Sequence, residues 1–187
     1  MDKYSCFREL THYENDFELE FCDRNSSVTI LAPHGGRIEP HTTEIARLIA
    51  GDTYNYFCFN GRKEGCNKDL HITSHRYDAG QAILLVNKSL TVIAVHGCSS
   101  EKSILFLGGL DTHLKKHIAA ELKTNNIAVD QSSSAYGGTH SNNICNRGIT
   151  GKGVQLECSR PLRDSSQNRL TIATAIRRAL ESSLTRF

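Results

Sequence analysis

The sequence predicts an α/β fold: one domain over residues 1–187, with a mixed parallel/antiparallel sheet flanked by helices. Three observations predict it. Apolar runs of strand length alternate with segments of helical periodicity along the chain. Only three prolines (33, 40 and 161) interrupt it, and no repeat, linker or low-complexity block divides it. Hydrophobic residues make up 39% and charged residues 22%, which lets a chain of this length bury a core without disulfides or structural metal.

The elements follow in order. Phe17, Leu19 and Phe21 alternate as in an opening strand, and the run from Ser27 to Ala32 reads as a buried one. A turn is expected at Pro33–Gly36. Pro40 suits the first position of a helix, and Ile45, Leu48 and Ile49 recur at helical spacing until Gly51 ends it. A strand at Thr53–Phe59, an irregular stretch through His71, a helix at Asp78–Asn87 and strands at Thr91–Val95 and Ser103–Leu107 come next. Leu110, Leu114, Ile118 and Leu122 form one apolar helical stripe, and a short strand at Ile127–Asp130 follows. The Gly/Ser/Asn-rich segment from Ser132 to Gly148 reads as a binding loop or lid, because long irregular segments in a domain tend to be functional. A strand at Gly153–Cys158 and a helix at Gln167–Leu184, with Ile172, Ile176, Leu180 and Leu184 on its buried side, complete the chain.

Composition excludes several functions. The 22 lysines and arginines against 20 aspartates and glutamates create no field for bulk attraction of nucleic acid or an anionic membrane. No apolar run approaches the ~20 residues of a membrane span, and the first ten residues, MDKYSCFREL, lack a signal-peptide core. A cytoplasmic protein without a membrane or nucleic-acid partner is expected, and a monomer. The seven cysteines are odd in number and include no Cys-x-x-Cys pair, so they read as reduced thiols packed as small hydrophobes. The nine histidines are more informative.

In α/β sheets ligands collect beyond the carboxyl ends of the strands, and two histidines sit at such ends: His34 after SVTILAP and His96 after TVIAV. Glu39 follows His34 by five residues, with Gly35 and Gly36 between them to permit a tight turn. Two histidines and a glutamate form a zinc set with an open fourth position, the pattern of a catalytic rather than a structural site. Hydrolysis also needs a base that takes the proton of a water, and Glu157, costly to place in the apolar strand GVQLEC, is the candidate. The bland alternative is a strand-end glutamate facing solvent or an arginine.

Other constellations are weaker. His113 and His117 have the spacing of a zinc-protease helix, but Leu114 stands where that motif needs its glutamate. Cys58 and Cys66 are too far apart for a zinc knuckle with His71 and His75. The Gly151-Lys152-Gly153 run enters a strand and lacks the hydroxyl residue of a phosphate loop.

The segments APHGGRIEPHTTE (32–44), LHITSHRYD (70–78), VHG (95–97), GGLD (108–111), NICNR (143–147) and GKGVQLE (151–157) resemble, in order and spacing, the phage-type poly-γ-glutamate hydrolases. That family is similar in fold to the zinc carboxypeptidases of the carboxypeptidase A superfamily. The resemblance implies one Zn2+ held by His34, Glu39 and His96, with Glu157 as general base, cleaving γ-glutamyl amide bonds. It implies poly-γ-glutamate or a γ-glutamyl peptide as substrate, and release by lysis if that substrate is extracellular. Arg147, whose guanidinium suits a carboxylate, is the expected substrate contact, with Asn146, His71 and Lys152 beside it. Glu44 is expected behind a metal ligand, orienting it or capping the helix. Alternatives are a zinc amidohydrolase acting on another γ-glutamyl or N-acyl amino acid, and a non-catalytic binding module on the same fold.

Overall fold

The computed structural model describes residues 2–184. Seven strands form one mixed sheet: β1 (Phe17–Cys22), β2 (Val28–Gly36), β3 (Asn55–Gly61), β4 (Thr91–Gly97), β5 (Ile104–Gly108), β6 (Ala128–Asp130) and β7 (Val154–Cys158). Their spatial order is β1-β3-β2-β4-β7-β5-β6. The central strands β3, β2, β4 and β7 run parallel, and β1 and β5 pair antiparallel with β3 and β7.

Among the described residues six α-helices cover the sheet: α1 (Phe7–Tyr13), α2 (Thr42–Ala50), α3 (Gly80–Val86), α4 (Thr112–Thr124), α5 (Arg160–Asp164) and α6 (Ser166–Leu184). Period-two alternation sends side chains of the buried strands into two cores. Ile30, Ile93, Val95, Val154 and Leu156 meet Ile45, Ile49, Leu114, Ile118, Ile172 and Ile176 on one face. Leu31, Phe57, Phe59, Val92 and Ala94 meet Phe7, Leu10, Leu85 and Tyr77 on the other. Leu180 joins the first core as expected; Leu184 lies outside the residues whose side chains are described. All seven cysteines are free, and Cys58, Cys98, Cys145 and Cys158 are buried. No helix among the described residues is long and apolar enough to cross a membrane.

Three expectations are corrected. The segment Pro33–Gly36 is not a turn but the end of β2, which continues through a bulge. Pro40 precedes α2 rather than opening it, because His41 at φ +72° takes the position before the first helical residue, Thr42. The helices α1 and α5 stand where none was expected; α5 is a short turn with Pro161 near its start.

Candidate metal centre and active site

The bulge decides where His34 points. Between Ala32, opposite Cys58, and Gly35, opposite Asn60, β2 spends one residue more than β3. Strict alternation would put residue 34 on the face of Ile30 and Ala32, beneath α2. The extra residue shifts the parity and re-aims the side chain. His96 continues the face of Val92 and Ala94, and Glu157, its register partner on β7, lies beside it. His34 therefore joins both on one face.

Gly35 and Gly36 make the following loop possible. A Cβ on Gly35 would stand 2.0 Å from Thr43 Oγ1, and Gly36 has φ +63°. The Glu39 N–H then donates to the His34 carbonyl at 2.9 Å, closing the loop and turning the Glu39 side chain back to the histidine.

Three acceptors converge. His34 Nδ1 lies 3.1 Å from His96 Nδ1 and 3.2 Å from Glu39 Oε1, and His96 Nδ1 lies 3.8 Å from Glu39 Oε2. His34 Nε2 is 2.8 Å from the Ile72 carbonyl, which can only accept, so that nitrogen donates its proton there and Nδ1 is left to face Glu39 and His96. The Gly97 N–H donates to Glu39 Oε2 at 2.8 Å and orients the carboxylate. Two ring lone pairs and a carboxylate facing one point call for a shared cation. A tetrahedron of ~2.0–2.1 Å zinc bonds has edges of roughly 3.3–3.4 Å, so the donor set and its spacing fit zinc.

The metal-free electrostatics agree with that need. Burial alone would raise the Glu39 carboxyl, but the His34 and His96 rings outweigh it and hold it down at about 2. Burial and then the neighbouring His34 press His96 down to about 3. Burial, and next the Glu39 carboxylate, push Glu157 up to about 8. Glu157 Oε1 accepts from Gln155 Nε2 at 3.0 Å, and Gln155 is held in turn by Asn143 Nδ2 at 2.8 Å.

Two cavities, of about 780 and about 380 Å3, share Glu39, His71 and Glu157 and so flank the convergence point. Lys68, Arg160 and Arg163 line the larger; Ser74, His75, His140 and Asn143 line the smaller. His71 is at the centre, its ring 4.0 Å from that of His34 and its Nδ1 2.7 Å from Asp2 Oδ1. His34, Glu39 and His71 form an alternative set of three groups able to hold a metal ion.

The structure does not bring the other expected substrate contacts here. Asn146 is buried and its amide is spent on the backbone: Oδ1 accepts from Leu110 and Gly153 N–H, and Nδ2 donates to Gly138 and His140 carbonyls. Arg147 donates to the Tyr77 carbonyl, and Lys152 is exposed; neither lines the two cavities. Glu44 faces Arg169 and His41 rather than a ligand, so it does not stand behind the metal set. The His113 and His117 rings lie 4.7 Å apart on α4, tilted by 57°. Sequence reasoning missed Arg163 and Gln155. The second had a signal, since it lies two residues before Glu157 on the same strand face.

A family model described as poly-gamma-glutamate hydrolase matches residues 4–187. The SPbeta prophage-derived protein YoqZ of Bacillus subtilis (strain 168) is 36% identical over 176 residues, which cover 92% of this chain and 64% of that protein, so the chain spans just under two thirds of that relative. Among solved structures, a bacteriophage poly-gamma-glutamate hydrolase superposes with a TM-score of 0.93 at 28% identity, covering 100% of both chains. Zinc-free, apo YNDL superposes with a TM-score of 0.91 at 27% identity, covering 98% of this chain and 99% of that one.

Proposed function

The chain belongs to the poly-gamma-glutamate hydrolase family, and from that premise we propose that it hydrolyses the γ-glutamyl amide bonds of poly-γ-glutamate with one zinc held by His34, Glu39 and His96. The observation that carries this reading is the convergence of two imidazole Nδ1 atoms and a carboxylate within 3.1–3.8 Å, with Glu157 in register beside His96. The existence of a zinc-free form of YNDL, a structural neighbour, supports the choice of metal.

Zinc bound there supplies a Lewis acid that polarises the scissile carbonyl and lowers the pKa of a water. The protein does the rest. Glu157 takes one proton from the attacking water and passes it to the leaving nitrogen, so that an amide and a water become a carboxylic acid and an amine. Gln155 holds Oε1 of Glu157 and leaves Oε2 for the proton. Burial and the Glu39 carboxylate raise the Glu157 pKa, and a cation held by the three ligands would offset the Glu39 charge and favour the ionised form a base requires.

Poly-γ-glutamate carries a free α-carboxylate on every unit, and the larger cavity meets it with Lys68 and Arg160 in place of the expected Arg147. The cavities on both sides of the centre give room for glutamyl units on both sides of the scissile bond. The deciding experiment follows polymer chain length and zinc content for wild type and Glu157→Gln. Wild type with one zinc should shorten the polymer, and the variant should keep the zinc and lose roughly 10²–10⁴ in kcat. A zinc-loaded wild type that leaves the polymer and γ-glutamyl dipeptides intact overturns the reading.

A further inference from the structure

Arg163 takes no part in the chemistry above, yet it is 4% exposed at the wall of the larger cavity. Its guanidinium reaches three backbone carbonyls on three separate segments. Nε donates to Cys158 O at 2.9 Å, Nη2 to Cys98 O at 3.2 Å and Nη1 to Pro40 O. Those carbonyls stand one residue after Glu157, two after His96 and one after Glu39. The base and two of the three ligands are thus each tied, within two residues, to one planar group.

The surroundings are shaped for it. A Cβ on Gly97 would stand 2.6 Å from Arg163 Cζ, so the bare glycine lets the guanidinium lie against the end of β4. That same Gly97 donates its N–H to Glu39 Oε2. Arg163 is itself anchored: its N–H donates to Ser159 O at 3.1 Å, and its carbonyl accepts from Arg169 Nη1 at 2.6 Å. A buried guanidinium must fill its donors or lose the solvation they had in water. Among the described residues no carboxylate forms a salt bridge with Arg163; its three side-chain bonds all go to carbonyls of the segments that bear the site.

We propose that Arg163 is a positioning residue that holds the Glu39, His96 and Glu157 segments at the mutual spacing one metal ion requires; this rests on the zinc-hydrolase reading above. The rigid fork of a guanidinium fixes three acceptors at once. A lysine ammonium brings the charge without the planar geometry.

The test compares the full chain with Arg163→Lys and Arg163→Ala. Zinc affinity is measured by competition between the apo-protein and a chromophoric chelator, kcat and KM on poly-γ-glutamate, and the thermal midpoint of the apo form. Both variants should bind zinc roughly 10–100-fold more weakly, as when groups that orient metal ligands are removed. Their kcat should fall with KM nearly unchanged. Guanidinium chloride at sub-denaturing concentration should restore zinc affinity and kcat to Arg163→Ala and leave Arg163→Lys unrescued. The proposal is overturned if Arg163→Lys binds zinc and turns over like wild type, or if Arg163→Ala loses thermal stability while its folded fraction keeps wild-type zinc affinity and kcat. Should Arg163→Ala fail to fold, Arg163→Lys still decides. A wild type that binds zinc without cutting the polymer strikes the hydrolase reading alone, because the affinities still test the clamp.

Discussion

Replacing His96 with alanine should abolish tight zinc binding, and replacing His71 should leave it, although the His71 ring lies nearer to His34. The ring centroids of His71 and His96 stand 4.0 and 4.9 Å from that of His34. Ring proximity is not ligation. The atoms His34 Nδ1, His96 Nδ1 and the Glu39 carboxylate are separated by 3.1, 3.2 and 3.8 Å, close to the roughly 3.3–3.4 Å edges of a zinc tetrahedron. His71 forms an alternative set with His34 and Glu39, but its Nδ1 is held by Asp2 at 2.7 Å. Structural zinc sites with four ligands are worth about 10–16 kcal/mol, so one ligand contributes on the order of 3 kcal/mol, which is about 100-fold in Kd. The assay is titration of apo-protein against a chelator of known zinc affinity. His96→Ala should weaken binding by about 100-fold or more, His71→Ala by less than about tenfold, the lower end for losing a neighbour of a ligand, and His113→Ala not at all. Equal losses for His71→Ala and His96→Ala would refute the ligand set, and a loss for His113→Ala would refute the location.

Three other outcomes are expected. Gly153→Ala should destabilise by about 3 kcal/mol in urea titration, since its Cβ would stand 2.0 Å from the Cys145 carbonyl and 2.6 Å from that of Val92; an unchanged midpoint would contradict the close approach. Asn146→Ala should cost about 3 kcal/mol by stranding two N–H and two carbonyl groups, while leaving KM for the polymer near wild type; a raised KM at unchanged stability would restore it as a substrate contact. Asp2, bonded to His71, the Thr73 N–H and Arg76, has its carboxyl held below the ordinary value because the hydrogen bonds from Thr73 and His71 outweigh the effect of burial. Its stabilisation is therefore complete above the unfolded pKa of ~3.9 and lost as pH falls through the lower folded value. Asp2→Asn should accordingly unfold at lower urea than wild type near pH 6, with the gap closing in strong acid; a gap independent of pH would contradict it.

The order of strands and helices was legible because the doubly buried central strands β2, β4 and β7 read as short apolar runs and the helices α4 and α6 carry apolar stripes at a period of 3.6. Helix α5 was not legible: five residues are too few to show a period, and Arg163 within it looks from sequence like any charged residue on a surface. Asn146 and Arg147, expected as substrate contacts, lie outside both cavities for a related reason. Polar residues in a Gly-rich loop read as ligand contacts, but a loop folded over a sheet must satisfy its own backbone, and Asn146 is used for that.

By itself the sequence determined the fold class and the residue types of the centre: histidines at the ends of two core strands, a glutamate shortly after a Gly-Gly pair, and a glutamate too costly for an apolar strand without use. Only the tertiary structure decided that they meet. Alternation along β2 sends His34 to the wrong face, and the extra residue between Ala32 and Gly35 that reverses it exists only through pairing with β3. Likewise Cys98, Cys158 and Pro40 are distant in sequence, and one guanidinium can join their carbonyls only after the parallel strands have brought the segments together. Local periodicity is written in neighbouring residues; parity across a bulge and acceptors shared among strand ends are properties of pairing, which a single segment does not contain.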